Sequence, residues 1–200
     1  MSDGLFTIIE ELNVDKIIIS KQGKMSENFE TFKNIVKNKN IKVIYVGKGD
    51  TLRIEDDLFI DVLWPNNLNL INENILNNNS IVCKLKYNNF SILFTGDIEE
   101  IAENRILEEY HDNIKILNST VLKVGHHGSK TSSTQDFIEV VKPRMVLIGV
   151  GEKNKFGHPN ESVIERLENI GAKILRTDVM GEIVLNIDSS GRIKVKKLIE

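Results

Sequence analysis

The sequence predicts an α/β fold of mixed type (α+β), with parallel and antiparallel sheet in one chain. Short apolar runs alternate with amphipathic helical stretches near the N-terminus and again beyond residue 120. Between these regions, four strand-like runs follow one another with only short turns. Strand–helix–strand alternation implies crossovers and parallel pairing, whereas short turns imply an antiparallel ribbon.

Each element has its own signal. Leu5, Ile8, Ile9 and Leu12 lie on one helical face behind Ser2-Asp3, either of which can cap it. Ile17-Ile18-Ile19 reads as a short buried strand. Ser26 or Asn28 opens a second helix with the stripe Phe29, Phe32, Ile35 and Val36, and Ile41 to Val46 is the next strand, parallel to the first. Thr51 to Ile54, Phe59 to Trp64, Ile81 to Leu85 and Ser91 to Phe94 form the ribbon, with Asp56-Asp57 and Asn88-Asn89 as turn signals. The asparagine-rich stretch Asn66 to Asn79 reads as loop rather than core. Asp97 begins a helical stretch, Ile98 to Tyr110, with Ile101, Ile106 and Leu107 inward. Val121 to Val124 is strand, Ser133 to Val141 helix, and Met145 to Val150 strand. Asn160 caps a helix that Gly171 stops, and Ile174-Leu175 is strand. Gly181 to Ile187 and Arg192 to Leu198 close the chain as a hairpin around Ser189-Ser190-Gly191. No composition break marks a second domain, so residues 1–200 are expected to form one.

Composition narrows the function. Apolar content of 40% and charged content of 28% are those of a soluble globular domain, and the net charge of −3 excludes a bulk basic footprint for nucleic acid while leaving room for a local patch. The lone Cys83 cannot form an internal disulfide and reads as a small core residue. No run reaches the length of a membrane span and the N-terminus has no basic signal-like segment, so the expected location is cytoplasmic.

The chemistry gathers at three strand ends, each with a metal-type ligand beside glycine: Thr95-Gly96-Asp97, Gly125-His126-His127-Gly128-Ser129 and Phe156-Gly157-His158-Pro159. A carboxylate ending an apolar strand is costly to bury unless paired or metal-bound, and its simpler role is a helix N-cap; the two are compatible. A carboxylate can also bridge two metal ions, as in phosphate-ester hydrolases. Neighbouring strand side chains point to opposite faces, but a turn can re-aim His126 and His127 into one cleft. Ser80, Thr95, Ser129 and Asp178 are candidates to hold ligands in place by hydrogen bonds. Lys130, with Lys153 and Lys155, flanks these loops and could attract an anionic substrate, although each alone reads as a solvated loop lysine. His111 ends a helix beside Tyr110 and Asp112 and reads as exposed.

Asn79-Ser80, Phe94-Thr95-Gly96-Asp97, Gly125-His126-His127-Gly128-Ser129, Gly157-His158-Pro159 and Arg176-Thr177-Asp178 together resemble the metallo-β-lactamase-fold domain of ComEC-type competence proteins, in order and approximate spacing, over nearly the whole chain. The resemblance implies an αββα sandwich with a metal site at one edge of its sheets. It implies metal-dependent hydrolysis, foremost of phosphodiesters in DNA, with zinc or manganese as the divalent metal. Residue by residue, Asp97 matches the metal-bridging aspartate, His158 a late histidine of the site, and His126 the first histidine of the paired motif. Which of His126 and His158 is the better ligand stays open. His127 becomes the neighbour that touches substrate, the catalytic candidate. Ser80 falls where many members of the wider fold place a histidine ligand.

The family's early His-x-x-x-Asp-His-x-Gly-Gly segment has no counterpart. No histidine precedes His111, and Asp3-Gly4-Leu5 resembles only the segment's tail. The expectation is a sandwich lacking its first strands and the N-terminal metal-ligand segment, as a fragment or a degenerate paralogue. Such a chain would have a sheet edge open to association and hydrolysis lost or impaired. The alternative is a non-catalytic remnant or partner-binding module of the same fold, and a third reading keeps the fold with a thioester or lactam substrate.

Overall fold

The computed structural model describes residues 3–20 and 28–199. The proposed caps Ser2 and Ser26 lie outside them, and Asn28 stands at the N-cap position of the second helix. A first unit comprises α1 (Asp3–Glu11), β1 (Lys16–Ser20), α2 (Phe29–Asn38) and β2 (Lys42–Val46). As the crossover rule requires, β1 and β2 are parallel, with Ile17 opposite Val43. Their helices bury Ile9, Phe32 and Val36 with Ile41 in a small core.

The central element is a seven-stranded mixed sheet. Its strands, in spatial as in chain order, are β3 (Thr51–Glu55), β4 (Leu58–Trp64), β5 (Val82–Tyr87), β6 (Phe90–Phe94), β7 (Val121–Lys123), β8 (Met145–Ile148) and β9 (Lys173–Arg176). Pairing is antiparallel from β3 to β6 and parallel from β6 to β9. The switch follows from the connections. Asn88-Asn89 is a tight turn, whereas α4 (Glu100–Glu109), α5 (Gln135–Val141) and α6 (Glu161–Asn169) return the chain for each parallel strand. Two shorter helices, α3 (Ile75–Asn78) and α7 (Thr177–Met180), lie in loops, and β10 (Ile183–Ile187) and β11 (Ile193–Lys197) form the closing antiparallel hairpin.

Strand periodicity divides the core into two layers. Leu93, Leu122 and Val146 pack with Ile106, Phe137, Ile138, Val163 and Leu167 of the helices. Their strand neighbours Ile92, Val121 and Met145 pack on the other face with Leu175 and with Leu185, Ile193 and Val195 of the hairpin and its approach. Asn160 caps α6 as expected, its Oδ1 accepting from Ser162 N at 3.2 Å, and Gly171 ends it at φ +72°.

Three expectations require correction. The helix after β6 begins at Glu100 with Glu99 at its N-cap, so Asp97 lies in the preceding turn and caps nothing. That offset rotates the helix face: Ala102, Glu103 and Ile106 are buried, while Ile101 is exposed. The asparagine-rich stretch is part core, because Asn78 and Asn79 are completely buried. Among the described residues, no helix is long and apolar enough to cross a membrane.

Candidate functional site at the carboxyl ends of the parallel strands

Four adjacent parallel strands run the same way, so the loops leaving their carboxyl ends share one edge of the sheet, where open α/β sheets bind ligands. β6 leads to Asp97, β7 to His126 and His127, β8 to the loop ending in His158, and β9 to Asp178. Thr95 Oγ1 donates to Lys123 O at 2.7 Å, and His126 N donates to Gly96 O at 3.0 Å, tying the first two loops together. Asn160 N donates to Gly128 O at 2.8 Å, tying the second to the third.

The paired histidines depend on unusual backbone. His126 and His127 both adopt left-handed φ, +46° and +56°, within a 3₁₀ turn over Gly125–Gly128. This conformation is uncommon outside glycine, and it breaks the strand alternation that would aim the two rings apart. Gly128 continues it at φ +81°, where a Cβ would stand 2.6 Å from Pro159 Cβ. Gly128→Ala is therefore expected to cost more than about 1 kcal/mol, from strain plus the clash, read as a lowered urea midpoint at constant m.

The imidazoles have different partners. His127 Nδ1 donates to Gly149 O at 2.7 Å. In the neutral ring this leaves Nε2 as a bare lone pair, 3.7 Å from Asp97 Oδ1. Both groups are partly exposed and water can serve each, but as two facing acceptors they suit a shared proton or cation. Their separation is too long for a hydrogen bond and close to what two donors each about 2.0–2.2 Å from one metal ion would keep. His126 turns instead toward Glu99, with Nδ1 3.5 Å from Oε1. At that distance Nδ1, itself buried, has no hydrogen-bond partner. Glu99 is held from the other side by Asn74 Nδ2, which donates to Oε2 at 2.7 Å.

His158 packs edge-on to His126, with ring centroids 5.8 Å apart, and stacks on Phe156. Partial burial, then the neighbouring His126 and His127, push its pKa below the usual histidine value, which favours the neutral ring that coordinates metals. Lys123 lies half-buried below the site, with its Nζ donating to Val124 O at 2.9 Å. Burial lowers its pKa and the nearby Asp97 raises it. His127 and His158 line a cleft of about 330 Å³ with Gly149, Val150, Asn154 and Phe156.

The donor types suit a divalent cation, but the count falls short. Among the described residues, no three His, Cys, Asp or Glu side chains converge as a metal-holding group. Asp97 and His127 are thus two facing donors and not a closed ligand set.

Other residues named from the sequence lie further out. Ser80 Oγ donates to Leu76 O at 3.4 Å and packs where a Cβ on Gly96 would be. Ser129 Oγ pairs with Thr131 Oγ1 at 3.0 Å. Asp178 is taken up by a two-point ion pair with Arg176, at 3.1 and 2.6 Å, which lowers its pKa and leaves it bonded to no histidine. Lys130 is exposed and does not line the cleft, and His111 is exposed as expected. Glu99, Lys123 and Asn154 were not singled out by their types or spacing. The only cue for Glu99 was its position two residues after Asp97.

Comparison with known proteins finds relatives among competence proteins. ComE operon protein 3 of Bacillus subtilis is 31% identical over 176 residues, covering 88% of this chain. The chain is homologous to a segment of the ComEC-type competence proteins. Competence protein ComA of Neisseria gonorrhoeae is 34% identical over 61% of the chain, and recombination protein 2 of Haemophilus influenzae 34% over 55%. The chain spans 22%, 17% and 13% of the length of those relatives, respectively. No family model matches it. A solved Parabacteroides distasonis chain, assigned as a metal-dependent hydrolase, is 12% identical with a TM-score of 0.47, covering 85% of this chain and 79% of that one.

Proposed function

We propose that this chain is a domain of a metal-dependent phosphodiesterase lineage acting on DNA, and that its own residues form one flank of the catalytic centre. The observation that carries the reading is Asp97 Oδ1 facing the bare Nε2 of His127 at 3.7 Å, at the edge where four parallel strands end. Homology to competence proteins supports DNA as the substrate class. Zinc or manganese bound there would supply charge neutralisation of a phosphodiester oxygen. Asp97 and His127 would hold it, His126 and His158 would border it, and the Gly149 carbonyl keeps the His127 proton on Nδ1. With two converging donors, the chain alone is expected to cleave DNA weakly or not at all.

The test is incubation of the purified chain with labelled single-stranded DNA and manganese or zinc. The expected result is little or no cleavage. Robust metal-dependent cleavage abolished by Asp97→Ala would overturn the impairment. The second reading, a non-catalytic partner-binding module, is favoured by the apolar surface of the first unit, where Leu5, Ile8, Leu12, Ile18 and Tyr45 are exposed. It predicts little bound metal by elemental analysis after purification and no loss of stability with chelator.

A further inference from the structure

We infer that Phe156, at the mouth of the His127–His158 cleft, is a stacking platform for a nucleobase of single-stranded DNA, next to the flank that would hold the scissile phosphodiester. The inference rests on the phosphodiester reading above and adds a base-binding subsite to it.

Phe156 is 74% exposed, an unusual place for a large aromatic ring. Its ring lies nearly parallel to that of His158, at 17° with centroids 5.9 Å apart, so one face is backed and the rest is open to a ligand. The loop that carries it is built and held. Asn154 Oδ1 accepts from Phe156 N at 3.2 Å and His158 N at 3.0 Å, while Nδ2 donates to Gly151 O at 3.1 Å and His158 O at 2.7 Å. One side chain thus fixes four backbone groups of the loop, and the ring is presented rather than left to wander.

The neighbouring chemistry fits a nucleotide. Phe156 and His158 both line the cleft of about 330 Å³, within the lower range of small-ligand sites. Lys153 and Lys155 are exposed on the same loop, against a single acidic residue, Glu152. An exposed aromatic beside lysines, next to a phosphate-directed site, is how proteins hold single strands with little sequence preference. Thr177 and Val150, which also line the cleft, would bound the base edge.

The experiment is fluorescence anisotropy of the full chain with oligo-dT and with an abasic oligonucleotide of equal length, in EDTA so that hydrolysis does not intrude. The wild type should bind oligo-dT about fivefold or more tighter than the abasic strand, the equivalent of one stacked base. Phe156→Ala should erase that difference while leaving abasic binding unchanged. Phe156→Trp should restore it, with emission quenched by oligo-dT and not by the abasic strand, above a constant background from buried Trp64. Equal wild-type affinity for the two strands, or a Phe156→Ala variant that still discriminates, overturns the stacking site alone. Failure of both strands to bind in EDTA likewise overturns the stacking site, whereas the phosphodiester reading, whose phosphate contact would run through the metal, is decided by the cleavage assay above.

Discussion

Trp64→Ala is expected to remove about 4 kcal/mol of stability, a large part of the roughly 5–15 kcal/mol available to a domain. Trp64 is the largest fully buried side chain, at the end of β4 where the pairing with β5 shifts register. Its Nε1 donates to Asn78 O at 2.7 Å. The substitution therefore opens a cavity in the helix-side core and also leaves a buried carbonyl without its donor. The consequence reaches the site, because Asn78 Oδ1 accepts from Glu99 N at 2.9 Å and Asn78 belongs to the turn that leads to Ser80. Trp64→Phe keeps most of the packing and loses the hydrogen bond, so about 1–3 kcal/mol is expected. Urea unfolding followed by circular dichroism measures both, since the sole tryptophan is gone. Equal losses for the two variants would mean that the hydrogen bond, and not the volume, dominates.

Glu103→Ala is expected to cost about 2–4 kcal/mol, the cost of leaving two backbone N–H groups of a buried turn without their charged acceptor. Glu103 is buried in α4, and its two oxygens accept from Ser133 N at 2.5 Å and Thr134 N at 2.8 Å. Burial raises its pKa, opposed by those donors and by nearby Arg166. Arg166 in turn donates to Ser133 O and Ser132 O, each at 3.1 Å. A carboxylate on the N–H groups and a guanidinium on the carbonyls thus hold the loop after Ser129, and this loop follows directly on the paired histidines. Alanine leaves the N–H groups of Ser133 and Thr134 without their acceptor. Glu103→Gln keeps the shape, sets one amide N–H against a backbone N–H, and should cost about half as much. A loss under about 1 kcal/mol for alanine, by urea denaturation, would show that the loop is held without Glu103.

The parts of the fold that were legible in the sequence are those with a period. The parallel register of β1 and β2, the ribbon from β3 to β6 and the closing hairpin follow from apolar spacing and turn residues, which report burial directly. The asparagine-rich segment misled because its polar side chains act as backbone. Asn79 accepts from Ile71 N and donates to Ile71 O and Ile75 O, satisfying the turn from inside the core. Composition cannot separate such an asparagine from one in water. Glu103 escaped notice for the same reason: a glutamate on a helix reads as its wet face until the loop it holds is seen.

Of the site, the placement of Asp97 and the paired histidines just past β6 and β7 was legible, because a glycine beside a potential ligand marks where a strand stops, whereas Gly157 and His158 lie well beyond the end of β8, in a loop. The partners were not. That Asp97 faces His127 while His126 turns to Glu99 depends on two consecutive left-handed residues, and no side-chain pattern encodes such a backbone. Likewise Arg176 and Asp178, two residues apart, satisfy each other before either can reach an imidazole.

The most direct test of the shared cation flank is a manganese titration of the isotopically labelled chain read by NMR. A cation held between Asp97 and His127 predicts that their resonances broaden first. Those of His158 and His126 should follow, His111 should be unaffected, and the selectivity should vanish in Asp97→Ala. Broadening that begins at acidic surface turns such as Asp56-Asp57, with no preference for the strand-end loops, would contradict it.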